Sequence, residues 1–418
     1  MVVFAKGKLT ILFLSALVVV YGLVGGIMDK VSAKDGAYKN LAIFTSVLSK
    51  VSEDYVEPPS MEMAMLGALH GMMEALDPYS SFVSKEEYEK LSTRDEAGSV
   101  GLEVSKRYSY VYIVSSQPGG PADQVGLRSG DMIESIDGRL TTQMSQWEAR
   151  RMLLGTPDTS VELRVIRARK SPAALELVRQ ELALSEVQAR IHEPGIGVVR
   201  VPHFGPGISN FVESKLRMLA SSGIKGLLID VRNTAQGEIE EAIQVSDLLV
   251  AKDKILTTLK DRKSESTEHR SAEEPIVSQI PIVVLTDGGT SGAAEIFTAA
   301  LRDNEVAEVV GSKTDGRGSL QELFKLEGGS VVFVSTQLYL RPNGKPIQAR
   351  TLRNSGIVPD VQSPSAEFVT KFLSENVSDD PDAVLGSDFY RRLTQATRSQ
   401  QFDRGIEQLR SLLLKKAA

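Results

Sequence analysis

The stretch that decides the fold reads GLLIDVRN, residues 226–233. It begins with a glycine and three branched apolar residues, and an aspartate follows at position 230. A continuous apolar run of this length is typical of a strand that is buried on both faces of a parallel sheet. The same pattern predicts further strands at 196–201, 280–285, 307–310 and 330–339, and helices at 208–221, 238–249 and 292–301. Alternating strands and helices predict an α/β core with a mainly parallel sheet and helices packed on it.

Residues 98–170 follow a different pattern, of short strands and turns. Strands are predicted near 100–104, 111–115, 132–136 and 161–165, with one helix at 145–154. The run GGPADQVGLRSGDMI at 119–133, followed by IDG at 136–138, is very similar to the signature of PDZ domains. That resemblance implies an inserted β-rich domain whose small-residue loop at 98–104 gathers backbone N–H groups around a peptide's C-terminal carboxylate. The predicted peptide-binding residues are Val100, Gly101, Leu102, Glu103 and Val104.

The remaining segments are predicted to be helical or irregular. Residues 34–97 carry apolar residues at helical spacing and form a helical N-terminal segment, with a second helix capped by Ser60. The charged and polar stretch 252–278 is expected to be a mobile loop, and the tail contains one helix at about 402–414. The predicted domain boundaries are therefore 1–33, 34–97, 98–170, 171–362 and 363–418.

The first 33 residues predict attachment to a membrane. Lys6 and Lys8 precede an apolar run from Leu9 to Met28, which as a helix would span about 30 Å, the thickness of a hydrocarbon core. The run is either an uncleaved anchor or a signal peptide cut near Ala33, and the late position of that small-residue site favours the anchor. The positive flank predicts an inner-membrane anchor with the bulk of the chain facing the periplasm or the cell exterior.

Composition excludes several classes of function. There is no cysteine, so the chain has no disulfide, no thiolate nucleophile and no cysteine metal site. The four histidines are scattered without HExxH spacing, so we expect no metal and no cofactor. The net charge of −6 disfavours general binding to nucleic acid.

Ordered motifs from about Leu41 to Val361 resemble the carboxyl-terminal processing proteases, also called tail-specific proteases. The motifs are LDPYSS at 76–81, the PDZ signature, GLLIDVRN at 226–233, GTSGAAEI at 289–296, LRDN at 301–304, GSKTDGRGSLQ at 311–321 and GIVPD at 356–360. In that family a serine at the start of a helix attacks the peptide carbonyl, a lysine is its general base and a glutamine orients the lysine. A buried lysine can lose its proton near neutral pH, which is why the chemistry can use this residue.

This chain departs from the family at the positions that carry the reaction. The resemblance aligns the nucleophile with Gly292, which has no side chain, and the base with Arg317. A guanidinium keeps its proton in proteins and cannot act as a base. Gln321 and Asp303 are retained, but the family's Asn-Pro-Gly-Gly loop reads TAQG here, residues 234–237. These linked changes predict a protein that no longer cleaves peptides.

Two neighbouring residues leave an alternative open. Ser291 lies one residue before the lost nucleophile and Lys313 four residues before the lost base. Because one helical step turns a side chain by about 100°, we expect Ser291 to miss the family's geometry and to serve as a helix cap.

The preferred hypothesis is a membrane-anchored, inactive relative of tail-specific proteases that binds peptide C-termini or a partner protease. One alternative is an active serine endopeptidase that uses Ser291 with Lys313. The other is a scaffold whose PDZ domain mediates self-association.

Overall fold

The computed structural model describes residues 38–94, 96–107, 109–166, 173–349, 354–364, 367–368, 371 and 387–417. The described residues fall into two units, which divide after Ala68. The first unit contains helix α1 at 38–54 and the start of helix α2, Met61–Glu74. Ser60 accepts a hydrogen bond from Met63 N at 3.3 Å, so the predicted cap is present. The helical N-terminal segment is therefore confirmed for the described residues.

The PDZ domain is a six-stranded sheet with one well-formed helix beside it. Its strands run in the order β3-β4-β5-β8-β9, with β6 paired to β5, so β3 is an edge strand. Its elements are β2 Gly98–Ser99, β3 Leu102–Arg107, β4 Tyr110–Ser116, α4 Pro121–Gln124, β5 Met132–Ile136, β6 Arg139–Leu140, α5 Gln146–Leu153, β7 Leu154–Gly155, β8 Ser160–Ile166 and β9 Ala173–Val178. Strand β9 pairs with β8 along its whole length, so the PDZ sheet continues past the predicted boundary at residue 170.

The core sheet contains the apolar stretch within residues 226–233. Its order is β10-β11-β12-β15-β16-β19, and every pairing from β11 to β19 is parallel. The sheet and its helices comprise β10 Gln188–Glu193, β11 Ile196–Arg200, α6 Ile208–Ser221, β12 Gly226–Asp230, α7 Ile239–Asp247, β15 Ile282–Thr286, α8 Ala293–Asp303, β16 Ala307–Gly311, β19 Val361–Gln362 and α9 Ser387–Ala417.

Both faces of this sheet are buried, which explains the apolar run. Leu227 and Ile229 pack with residues of α6, α7 and α8, whereas Leu228 points to the other face and packs with Ile406 and Leu409 of α9. Successive side chains of a strand alternate between faces, so a strand covered on both sides is apolar at every position. The predicted α/β core is confirmed.

A second, antiparallel sheet lies in the same unit. It joins the N-terminal strand β1 to the later part of the chain, in the order β1-β18-β13-β14 with β17 paired to β18. Its strands are β1 Ser81–Val83, β13 Ile255–Asp261, β14 Ser266–Arg270, β17 Ser319–Lys325 and β18 Val331–Leu340, and helix α3, Lys85–Ser92, follows β1.

The prediction of a loop at 252–278 was wrong, and the predicted tail helix was too short. The stretch 252–278 is not a loop, because β13 and β14 form a hairpin within it. Strand β14 is mostly exposed and polar, so it lacks the apolar alternation that identifies strands. The tail helix runs from Ser387 to Ala417, longer than the predicted 402–414, because the sequence of its first half is mostly polar and lacks the apolar spacing that predicts a helix. Within the described part of the chain, no helix is long and apolar enough to cross a membrane, and the predicted anchor lies outside that part.

Candidate functional site

The first candidate residue, Gly292, occupies the turn from β15 into helix α8. It is the N-terminal cap of that helix, with φ +60° and ψ −116°. A side chain in this backbone conformation is strained, and glycine is favoured there. An ideal Cβ on Gly292 would have only one neighbour within 4 Å, Arg317 Cδ at 4.0 Å. There is thus room for a side chain, and the obstacle to one is the backbone conformation.

A buried carboxyl group joins the start of α8 to the loop that carries Arg317. Glu295 accepts hydrogen bonds from the backbone N–H of Gly292 at 3.0 Å and from those of Gly316 and Arg317 at 2.8 Å. The hydroxyl of Thr314 also bonds to it. Burial, together with the neighbouring Asp315, raises the pKa of Glu295 to about 8. Glu295 therefore fixes Gly292 and Arg317 relative to each other.

Arg317, at the base position, faces an open cleft. Its guanidinium lies 5.7 Å from the ring centroid of Tyr79, a cation–π contact. Among the described residues the guanidinium makes no hydrogen bond and no ion pair, although the neighbouring Asp315 interacts with its charge and its backbone N–H is bound to Glu295. This is unusual for a group with five donors that is only partly exposed.

The retained Gln321 makes contacts elsewhere. Its Nε2 donates to the carbonyl and hydroxyl of Ser319 at 3.2 and 2.7 Å and to Ser335 Oγ at 3.2 Å. Gln321 therefore holds a serine cluster between β17 and β18, and it does not bond to Arg317. The retained Asp303 pairs with Arg341 at the far end of α8.

Ser291 and Lys313, the alternative catalytic pair, lie in different surroundings. Ser291 is 3% exposed, and its hydroxyl donates to Asp315 Oδ2 at 2.9 Å. The same carboxyl accepts a hydrogen bond from the Tyr112 hydroxyl of the PDZ domain. Lys313 is partly buried, and burial lowers the pKa of its amine. Ser291 thus serves as a partner for a buried acid.

The 234–237 loop forms another wall of the site. Gly237 has φ +130°, and a Cβ there would lie 2.3 Å from the carbonyl carbon of Phe204, so only glycine fits. Thr234 is fully buried, donates to Val201 O at 2.9 Å and accepts from Arg200 at 3.0 Å. The loop is therefore held in place without the proline and glycine that the family has here.

Gly292, Arg317 and Gln321 line a cleft of about 470 Å³ to which both domains contribute. Its wall combines PDZ residues with residues of the core: Glu103, Arg150, Leu184, His203, Gln236, Gly237, Glu238, Gly292, Arg317, Leu320, Gln321 and Tyr339 are among them. The cleft therefore runs from the start of strand β3 to Gly292 and Arg317.

The predicted peptide groove of the PDZ domain is bridged by its own side chains. Gln146, on α5, donates from Nε2 to the carbonyl oxygen of Val104, on β3, at 2.9 Å. Further along the same helix, Arg150 pairs with Glu103 at 3.5 Å. A peptide that adds to an edge strand uses the strand's free N–H and C=O groups. A bound peptide would have to displace Gln146 from Val104.

The loop predicted to bind a carboxylate already uses one of its backbone N–H groups in a hydrogen bond of its own. Gly101 N donates to Ser99 Oγ at 3.0 Å, and an added Cβ on Gly101 would meet Leu182 Cδ1 at 3.0 Å. The backbone at Gly101 has φ +76°, a conformation that favours glycine. Val100, Leu102 and Val104 are all at most 5% exposed, so they also serve the PDZ core.

Sequence reasoning assigned no role to several residues of the site. Tyr79 and Glu295 lie inside the family motifs LDPYSS and GTSGAAEI, which mark both positions as candidates for the site. Tyr112 and Asp315 are far apart in sequence and meet only through the packing of the PDZ domain on the core. Nothing in their local sequence indicates that contact.

Comparison with known proteins agrees with this architecture. The family model "Peptidase family S41" matches residues 195–363, and the model "PDZ domain" matches residues 112–167. The carboxyl-terminal-processing protease of Synechocystis is 31% identical over 313 residues, which cover 72% of this chain and 72% of that protein. The carboxy-terminal-processing protease of Bartonella bacilliformis is 28% identical over 335 residues, 78% of this chain and 76% of the relative.

A solved structure is similar in fold to most of the chain. The photosystem II D1 C-terminal processing protease superposes with a TM-score of 0.64 at 25% identity, over 83% of this chain and 92% of that one. The fold and the cleft thus define a PDZ-containing protease-type protein, and the chain belongs to the carboxyl-terminal processing proteases of peptidase family S41.

Proposed function

We propose that this chain is a non-cleaving member of its family that binds the C-terminal tails of peptides or proteins through its PDZ domain. The observation that carries the proposal is the pair of residues at the former catalytic positions. Gly292 offers no atom that could form an acyl-enzyme, and Arg317 cannot take a proton from a nucleophile.

The surroundings of Ser291 support the same proposal. Its hydroxyl is 3% exposed and is bound to Asp315, whose pKa is raised by burial. The partner of Ser291 is therefore a carboxyl group that also accepts from Tyr112, not the lysine that the family uses as a base, and a serine without a base is a weak nucleophile. The names of the relatives describe proteases, so proteolysis through Ser291 and Lys313 is the competing function that the experiment must test.

We also propose that residues 9–28 anchor the chain in the inner membrane, with the PDZ domain and the core on the outer side. The apolar length and the Lys6 and Lys8 flank support this proposal. A reporter fused after Ser32 should be active only outside the cytoplasm, and activity restricted to the cytoplasm would contradict the topology.

The decisive experiment uses the full chain in detergent. It is incubated with a fluorophosphonate probe and with an unstructured protein that carries an apolar C-terminal tail, beside the same protein with an amidated tail. We expect no labelling, no cleavage, and binding that amidation weakens. Cleavage that Ser291→Ala abolishes would establish the competing function.

A further inference from the structure

The strongest unexplained feature of the cleft is the guanidinium of Arg317. It lines a cavity of about 470 Å³, and within the described ranges it has neither a hydrogen bond nor an ion pair. The other arginine of this cleft, Arg150, already has Glu103 at 3.5 Å. A partly buried guanidinium is normally paired, because its five donors and its charge are costly to leave unsatisfied away from water.

The acids near Arg317 do not provide the missing partner. The carboxyl of Glu295 is engaged by three backbone N–H groups and by Thr314. Asp315 is bound by Tyr112 and Ser291. Burial raises the pKa of Asp315, against the opposing effect of Arg317, and raises that of Glu295 to about 8. Among the described residues, the guanidinium of Arg317 therefore has no hydrogen-bonded carboxyl partner.

The space in front of Arg317 is open. Because residue 292 is glycine, no side chain fills the region between the start of α8 and Arg317, and a Cβ placed there has no neighbour nearer than 4.0 Å. A planar guanidinium matches the two oxygens of a carboxylate in a bidentate geometry.

We propose that the cleft is a receptor for a peptide carboxylate, held by Arg317 in the space opened by Gly292. This inference rests on the proposed non-cleaving function, since a peptide must remain intact in the cleft. The carboxylate belongs either to a peptide's C-terminus or to an aspartate or glutamate side chain. The substitutions at 292 and 317 thus replace a site of bond breaking with a site of anion recognition.

The test measures binding of the full chain to three variants of one apolar peptide. One peptide has a free C-terminus and no acidic side chain, the second is amidated, and the third is amidated but contains one internal glutamate. Affinity is measured by fluorescence anisotropy for the unmodified chain and for Arg317→Gln, Arg317→Lys and Arg150→Gln. Mass spectrometry of each peptide afterwards reports whether it was cleaved.

We expect Arg317→Gln to weaken binding of at least one carboxylate-bearing peptide by about tenfold or more, as expected for a lost charge-assisted bond. Its affinity for the amidated neutral peptide should not change. Arg317→Lys should retain part of the affinity, because the charge remains and the bidentate geometry is lost. The peptide that responds identifies the source of the carboxylate.

The outcomes separate the two proposals. If Arg317→Gln leaves all three affinities unchanged while intact tails still bind, the cleft is not a carboxylate receptor and the non-cleaving function stands. An equal loss for all three peptides would also overturn the inference, because it indicates a general change of the fold. If the unmodified chain cleaves the peptides, the proposed function itself fails.

Discussion

The hydroxyl of Tyr112, on PDZ strand β4, bonds to the buried carboxyl of Asp315, in the loop that carries Arg317. Burial and the neighbouring Asp315 raise the pKa of Tyr112 well above its ordinary value, so the phenol keeps its proton and donates. Asp315 is also the acceptor for Ser291, the residue next to Gly292. One buried carboxyl group therefore connects the PDZ domain to the residue next to Gly292 and to the loop that carries Arg317.

Removing the Tyr112 hydroxyl should uncouple the PDZ domain from this loop. We expect Tyr112→Phe to lower the free energy of unfolding by about 1–3 kcal/mol, because a buried carboxyl group loses a donor. Urea denaturation measures the change. The matched control is Tyr110→Phe, two residues away on the same strand and partly exposed, which should change stability by less than about 0.5 kcal/mol. Equal effects of the two variants would contradict the role of the Tyr112–Asp315 bond.

The raised pKa of Glu295 predicts a pH dependence of stability. With a pKa of about 8 in the folded chain and an ordinary value of 4.5, the folded state binds more protons than the unfolded state between these limits. The contribution of Glu295 is therefore fully present below about pH 4.5 and is lost as the pH rises through 8. Asp315, whose pKa burial also raises, acts in the same direction.

The variant Glu295→Gln isolates this contribution. It should be less stable overall, because an amide nitrogen would face the N–H of Gly316 or of Arg317. Its free energy of unfolding, measured by urea denaturation at several pH values, should fall less steeply between pH 5 and 8 than that of the unmodified chain. A slope as steep as the original would mean that Glu295 is ionised in the folded protein.

Sequence patterns predict the parts of this fold in which burial is continuous. The strand 226–230 and the helix 208–221 are recognisable because one or both faces pack on a core, which imposes an apolar period. The hairpin of β13 and β14 is not predicted because β14 is an exposed, polar edge strand and β13 has only two buried residues, Leu256 and Thr257, so neither strand shows an apolar period. Gly292 and Arg317 could be placed at the catalytic positions only through the ordered family motifs. The bonds of Asp315 depend on domain packing and have no local signal.

Removing the hydrogen bond between Gln146 and Val104 should raise the affinity of the PDZ groove for peptides. In Gln146→Ala the carbonyl of Val104 is freed, so an incoming peptide no longer competes with the Gln146 amide. We expect tail peptides to bind about two- to tenfold more tightly, the range that corresponds to one neutral hydrogen bond. Isothermal titration calorimetry measures this change, and Gln143→Ala, an exposed glutamine just before α5, is the control. Weaker binding by Gln146→Ala would indicate that Gln146 contacts the peptide itself.

Substitutions at Gly292 and Arg317 test whether a nucleophile and its base would give the chain peptidase activity. Gly292→Ala should lower the free energy of unfolding by about 1–3 kcal/mol, because the backbone of residue 292, with φ +60° and ψ −116°, strains any residue that has a side chain. The space around the added Cβ is free, so no clash contributes. That variant measures the strain alone and is the control for Gly292→Ser. Gly292→Ser should remain inactive, because Arg317 keeps its proton and cannot activate the hydroxyl. Arg317→Lys should be inactive as well, because it has no nucleophile to serve.

Only the double variant Gly292→Ser with Arg317→Lys is expected to cleave a tailed substrate. The nucleophile and its base act as a unit, so one without the other contributes little. Activity also requires the 234–237 loop to support the reacting carbonyl, and Gly237, held against Phe204, keeps that backbone in place. Cleavage is followed by gel electrophoresis, and labelling by a fluorophosphonate identifies the new serine. If Gly292→Ser alone cleaves as fast as the double variant, Arg317 is not the block, and a residue such as Lys313 supplies the base.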